Sequence, residues 1–231
     1  MNTKIFCDIA ELKQIKKFDK KKIVKGFTTN PSLMRKAGAN DYQKYCKKIL
    51  KTTNKPVSFE VFSDDAKSMI KQGLIISQWS KNLFVKVPVV NSRGIFTGNV
   101  IKFLNSKNIK LNITAVYSFR QTSQILKKIN NKTKVIISIF AGRMSDKGID
   151  PIPEIKKSIK LAKKFKNVEI LWASTREAYN YLQAKKLGCH LITIPPKMID
   201  VIENFGSSKK DLSIKTVKSF LTDSKKSKFK L

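Results

Sequence analysis

The chain has 231 residues, enough for one large core and a common size for a single α/β barrel. No run approaches the about 18 consecutive apolar residues of a membrane span, and Met1-Asn2-Thr3-Lys4 lacks the apolar stretch of a signal peptide. A cytoplasmic protein with no membrane partner is expected. The three cysteines, Cys7, Cys46 and Cys189, lie far apart without CxxC spacing, which argues against a disulfide framework and a zinc site.

The formal net charge of +32 would attract any polyanion through phosphate contacts and counterion release. Lysine greatly outnumbers arginine, however, and the lysines are spread over nearly every predicted helix. Nucleic-acid readers favour arginine forks, stacked aromatics or a docking motif, and the chain shows none. The coat reads as solvated surface, with no specific nucleic-acid partner expected. A basic RNA-binding protein without catalysis is the alternative that the charge suggests.

Strand-like and helix-like pieces alternate along the chain. Residues 4–9 read as a strand and 11–17 as a short helix; 23–28 form a second strand ending at Thr29-Asn30-Pro31, with helices over 31–37 and 41–51 behind it. A third strand over 57–62 leads into a helix ending at residue 77 and capped by Ser63-Asp64-Asp65, side chains that accept from the first free N–H groups of a helix. The fourth strand, 83–89, is the run Leu83-Phe84-Val85-Lys86-Val87-Pro88-Val89, continuous enough to be a strand covered on both faces. A helix over 98–106, a strand over 110–116, a helix over 118–129 and a strand over 134–140 follow. A loop over 142–151, rich in glycine and aspartate, precedes a helix over 154–165. A strand over 168–173, a helix over 175–187, a strand over 191–194 and a helix over 196–204 complete the pattern. Eight strand–helix units in one chain predict an α/β fold, a single (β/α)8 TIM barrel over residues 1–206. Residues 207–231 are expected to add a C-terminal helix over 211–221, packed across the barrel or onto a neighbouring subunit, and a disordered lysine-rich tail.

Lys86 sits in the middle of an apolar run, and on the run alone two readings stand. In one, its stem snorkels to water from a strand end. In the other the amine is buried: a buried ammonium is costly, desolvation favours the neutral amine, and a neutral amine can form a Schiff base with a carbonyl. Barrel chemistry occurs where the C-terminal ends of the strands converge. Every strand but the eighth carries polar groups late in its run: Asp8, Thr28 with Asn30, Glu60, Lys86, Asn112 with Thr114, Ser138, and Ser174. Singly, Thr114 or Ser138 reads as a core hydroxyl. A Lys, an Asp and a Glu on three buried strands would be expensive as packing, and together they suit amine activation and proton transfer. His190, just before the eighth strand, is read as structural.

These residues resemble the transaldolase family. Gly26-Phe27-Thr28-Thr29-Asn30-Pro31-Ser32-Leu33 is similar to its Thr-Thr-Asn-Pro-Ser signature. Glu60 in Ser58-Phe59-Glu60-Val61, Lys86 in Val85-Lys86-Val87-Pro88, Asn112-Ile113-Thr114, Ser138-Ile139-Phe140-Ala141-Gly142-Arg143 and Ala173-Ser174-Thr175-Arg176 follow in the family's order. The resemblance spans about residues 4–200 and implies a cofactor-free barrel enzyme acting on sugar phosphates. By it, Lys86 forms a Schiff base with a ketose phosphate, Asp8 takes the C4 hydroxyl proton, and Glu60 and Thr114 position the water that carries protons. Thr28, Asn30, Asn112 and Ser138 would hold the dihydroxyacetone hydroxyls, and Arg143, Ser174 and Arg176 the phosphate.

Two activities occur in the family: transfer of the three-carbon unit to an acceptor, and its release as free dihydroxyacetone by fructose-6-phosphate aldolases. Those aldolases usually carry Gln and Tyr where this chain has Glu60 and Phe140, so the resemblance implies transfer. The chain's length is similar to that of the short, often decameric subgroup, which implies a homo-oligomer. Three positions depart from the family: Ile139 where Pro is common, Val89-Val90 where a threonine usually follows, and Thr175 where an aromatic is frequent. A class I aldolase acting on a deoxysugar phosphate would also need a strand lysine but should lack the Thr-Thr-Asn-Pro-Ser element.

Overall fold

Strands that are apolar on both faces have to be covered on both, and here they achieve it by closing on themselves. The computed structural model describes residues 3–228. In chain order its elements are β1 (Lys4–Asp8), α1 (Leu12–Asp19), β2 (Val24–Thr28), α2 (Pro31–Lys36), α3 (Tyr42–Thr52), β3 (Val57–Glu60), α4 (Ala66–Ser77), β4 (Leu83–Pro88), α5 (Gly98–Ser106) and β5 (Leu111–Val116). These are followed by α6 (Phe119–Leu126), β6 (Val135–Phe140), α7 (Ala141–Ser145), α8 (Ile152–Ala162), β7 (Val168–Ala173), α9 (Asn180–Leu187), β8 (Leu191–Ile194), α10 (Pro196–Glu203) and α11 (Lys209–Ser227). The strands pair in sequence order, all parallel, and β8 returns to β1 to close a (β/α)8 barrel.

Alternate strand residues point to opposite faces, and the two faces have different neighbours. Outward residues such as Cys7, Phe27, Phe59, Val85, Ile113, Ile137 and Trp172 join one continuous core with the buried faces of the helices. Inward residues Phe6, Phe84, Ile136, Leu171 and Leu191 form a second cluster that fills the lower barrel. Burying one such side chain fully stabilises by about 1.5–3 kcal/mol. Gly26 makes room for this floor, because a Cβ there would stand 2.6 Å from the Phe6 ring. Above the floor the inward positions turn polar, and that change of layer creates the site.

Three expectations differ from the structure. The loop over 142–151 contains the short helix α7, whose start lies directly after β6. The segment after β7 turns before becoming helical, so α9 begins at Asn180 rather than near residue 175. The lysine-rich tail is helical through Ser227, and the final residues 229–231 lie outside the described part. A reciprocal cap explains the start of α11: Ser208 accepts from the Asp211 N–H, and the Asp211 carboxylate accepts from the Ser208 N–H. Lysine is itself a good helix former. None of the residues of α11 is buried, and Leu212, Ile214, Val217, Phe220 and Leu221 are exposed along it.

Candidate active site

Lys86 does not snorkel. It is 7% exposed, and its Nζ donates to the Thr29 carbonyl at 3.1 Å and meets Glu60 Oε2 at 3.1 Å. The strand register sets this pair, since Glu60 on β3 stands opposite Lys86 on β4. Tyr42 fixes the Glu60 backbone from outside the barrel: its hydroxyl donates to the Glu60 carbonyl at 2.8 Å and accepts from the Glu60 N–H at 2.9 Å. With its charge balanced and hydrogen-bonded, the ammonium meets the conditions under which burial is tolerable.

Asp8 ends β1 opposite Thr28, whose hydroxyl donates to Asp8 Oδ1 at 2.7 Å. Burial raises the Asp8 carboxyl above the ordinary carboxylate range; the Thr28 hydrogen bond and the Lys86 charge pull the other way, and the Glu60 charge adds to the rise. The result favours a carboxylate that accepts a proton more readily than an exposed one.

The neutral groups form a third patch. Ser138 on β6 donates to Asn112 Oδ1 at 2.7 Å, and Asn112 Nδ2 donates to Ser58 at 3.0 Å. Next to Asn112, β5 bulges between Ile113 and Val116, with Ala115 at φ +56. A bulge re-aims a side chain, and Thr114 faces the cavity with a buried Oγ1 that has no partner among the described residues. An orphaned buried hydroxyl of this kind is suited to holding a water or substrate oxygen.

The fourth patch is cationic. Arg143 on α7 lies over the Phe140 ring at 5.2 Å. Ser174, at φ +64, turns the chain beyond β7, and Arg176 follows. The Arg176 guanidinium is already engaged: Nε and Nη2 donate to Asp146, at distances of 2.6–3.0 Å, and Nη1 donates to the Ser174 carbonyl at 3.2 Å. Gly142 permits this arrangement, because a Cβ at that position would lie 1.7 Å from the Ser174 carbonyl oxygen.

One cavity of about 230 Å³ is lined by Asp8, Thr28, Asn30, Lys86, Asn112, Thr114, Ser138, Phe140, Arg143, Ser174 and Arg176. Glu60 stands behind Lys86 rather than in the lining. Asn30 has a second role, its Oδ1 capping α2 by accepting from the Leu33 N–H at 2.9 Å. The expectation that β8 contributes nothing polar is overturned: Thr193 lines the cavity and its hydroxyl meets that of Thr28. The alternation of Leu191-Ile192-Thr193-Ile194 turns Thr193 to the same side as Leu191, which gives its face but does not distinguish a site hydroxyl from a core one. Asp146 was also missed, lying 30 residues from Arg176 with no local pattern to join them.

His190 lies before β8, where its Nδ1 accepts from the Ile170 N–H at 3.1 Å. Burial pushes the Cys46 and Cys189 thiols up to about 12, and the Cys7 thiol upward as well, so they remain protonated near neutral pH. Among the described residues no three His, Cys, Asp or Glu side chains are grouped to hold a metal ion, and no helix is long and apolar enough to cross a membrane.

Convergence of charged groups at the carboxyl ends of parallel strands is where barrels carry their chemistry, and it marks this chain as a barrel enzyme. A family model described as Transaldolase/Fructose-6-phosphate aldolase matches residues 5–231. A protein of Herpetosiphon aurantiacus named "Probable transaldolase" is 32% identical over 221 residues, covering 95% of this chain and 94% of its own. Another of that name, from Nitrosopumilus maritimus, is 35% identical over 199 residues, or 85% of this chain and 86% of its own. The chain belongs to the transaldolase/fructose-6-phosphate aldolase family and is an enzyme of the transaldolase type.

Proposed function

We propose that the chain transfers a dihydroxyacetone unit from fructose 6-phosphate or sedoheptulose 7-phosphate to an aldose phosphate, in the cytoplasm and within the pentose phosphate pathway. The observation that supports this most is the buried Lys86 ammonium held 3.1 Å from a carboxylate at the barrel mouth. Glu60 accepts the Lys86 proton, the free amine adds to the C2 carbonyl, and loss of water leaves a protonated imine. Asp8 then takes the proton of the C4 hydroxyl. The C3–C4 electron pair moves into the imine, the aldose leaves, and an enamine remains on Lys86. The enamine carbon attacks the carbonyl of an acceptor aldose, Asp8 returns its proton to the new hydroxyl, and water held by Glu60 and Thr114 hydrolyses the imine.

Thr28, Asn30, Asn112 and Ser138 bind the hydroxyls of the three-carbon unit, while Arg143, Ser174 and Arg176 take the phosphate. The second reading, release of free dihydroxyacetone, needs a proton donor for the enamine. Phe140, which lines the cavity without a phenol, favours transfer instead. The apolar side chains exposed along α11 support a homo-oligomer.

The test is to incubate the protein with fructose 6-phosphate, with and without erythrose 4-phosphate. Acceptor-dependent formation of glyceraldehyde 3-phosphate and sedoheptulose 7-phosphate is expected, and equal glyceraldehyde 3-phosphate in both tubes would overturn transfer. Borohydride should trap a three-carbon adduct on the wild type and none on Lys86→Met; an adduct on the variant would remove Lys86 from the reaction.

A further inference from the structure

Asp8 is reached by a chain of hydroxyls whose far members, Thr193 and Thr175, have no part in the proposed reaction. Thr28 has a single hydroxyl proton and donates it to Asp8 Oδ1 at 2.7 Å. Thr28 and Thr193 are also hydrogen-bonded through their hydroxyl oxygens. With Asp8 in the carboxylate form that the proposed reaction requires, the Thr28 proton is committed to it, and Thr193 is then the donor in this second bond. Thr193 is itself held, for the Thr175 hydroxyl donates to its backbone carbonyl at 2.7 Å. Thr193 and Thr28 are both nearly buried, so bulk water does not compete freely for these protons. No other hydrogen bond among the described residues reaches the Asp8 carboxylate.

We propose that Thr193 is a positioning residue for Asp8: by donating to Thr28 it fixes the bond that holds Asp8 through Oδ1 and leaves Oδ2 to meet the substrate hydroxyl. This rests on the reading of Asp8 as the base. A free hydroxyl rotor at Thr28 could turn its proton away from Asp8, and only an incoming donor keeps the rotor in one orientation. The same donor polarises Thr28 and strengthens its bond to the carboxylate, since consecutive hydrogen bonds reinforce one another. Hydrogen bonding to the charged form lowers a carboxyl's pKa, so the chain opposes the rise that burial imposes. The other groups facing Asp8 are the Lys86 ammonium from β4 and the Glu60 carboxylate from β3, with Cys7 its neighbour on β1. Losing Thr193 changes none of these.

The chain also runs across β8 to the turn after β7. Thr175 lies between Ser174 and Arg176, so one backbone turn carries both the cationic patch and the anchor of Thr193. Its hydroxyl occupies a position where a phenylalanine would have no proton to give Thr193.

Thr193→Val removes the donor at nearly constant volume, and Thr193→Ser restores it. The kcat–pH profile of the valine variant should show a kcat lowered about tenfold and an acid limb displaced to higher pH, with KM for the donor ketose nearly unchanged; the serine variant should return toward wild type. A carboxyl-carbon NMR titration of Asp8 reads the same displacement without turnover. If the wild type lacks transfer activity while Asp8 titrates at higher pH in Thr193→Val, the proposed function fails and the hydroxyl chain stands. An Asp8 titration and kcat identical in wild type and Thr193→Val would overturn the inference. Should the valine variant not fold, Thr193→Ala, which leaves space for the neighbours, carries the same expectations and the same refutation.

Discussion

Gly142→Ala isolates the backbone contact on which the cationic patch depends. The added Cβ would lie 1.7 Å from the Ser174 carbonyl oxygen, which has to recede by about 1.3 Å to reach even 3.0 Å. The obstacle is main chain at a residue already held at φ +64, so no flexible side chain can give way. Overpacking of this kind costs about 1–3 kcal/mol, and the backbone contact places it at the upper end. Alanine in a helix gains up to about 1 kcal/mol over glycine, which leaves a net loss of about 2 kcal/mol. For a chain of this size that lowers Tm by about 4–8 °C.

The displacement also breaks the 3.2 Å bond from Arg176 Nη1 to the Ser174 carbonyl. A misplacement of about 1 Å can reduce rate about 100-fold, so kcat/KM for phosphorylated sugars should fall by about 10–100-fold. Differential scanning calorimetry and steady-state kinetics on the same preparation measure both. Helix propensity alone predicts the opposite sign of Tm. A variant as stable as the wild type, with unchanged kcat/KM, would refute the close approach of α7 to the turn after β7.

Asp8→Asn should melt above the wild type at pH 7 while losing turnover. The folded pKa of Asp8 is raised, so wild-type stability falls as pH rises from the unfolded pKa through the folded one. The variant's advantage should therefore vanish below about pH 4, and an equal gap at both pH values would contradict the raised pKa. Thr114→Val removes a hydroxyl with no partner among the described residues, so Tm should hold or rise, while kcat should fall about 100-fold if the hydroxyl holds the water of the proposed mechanism; a drop of several degrees would mean that the hydroxyl is bonded. Phe140→Tyr should raise free dihydroxyacetone relative to transferred product, and an unchanged ratio would show that the phenol does not govern partition.

The barrel was legible because its strands are buried on both faces, so Leu83 to Val89 and Val135 to Phe140 read as continuous apolar runs. The charged centre was legible for the same reason: Asp8, Glu60 and Lys86 are conspicuous where apolar residues are expected. Thr193 was not, since one hydroxyl in a short apolar strand is as common in a packed core as in a site. The helix α7 has five residues, too few to show a period, and helices so short are stable only through tertiary contacts. The ion pair between Asp146 and Arg176 depends on how two loops meet, which no local spacing encodes. In the tail, lysine density suggested disorder, whereas the cap at Ser208 and Asp211 carried the stronger signal.

The packed layer of Phe6, Phe84, Ile136, Leu171 and Leu191 makes the barrel a blind well. The cavity that Lys86 lines is built from the carboxyl ends of the strands and the turns beyond them, on the far side of that layer. A sugar seated in that cavity would stand between the amine and solvent at the mouth. On the proposed mechanism, the lifetime of a three-carbon fragment on Lys86 would be tied to traffic at the rim: while one aldose leaves and another enters, the occupant of the cavity mouth would limit how much water can follow.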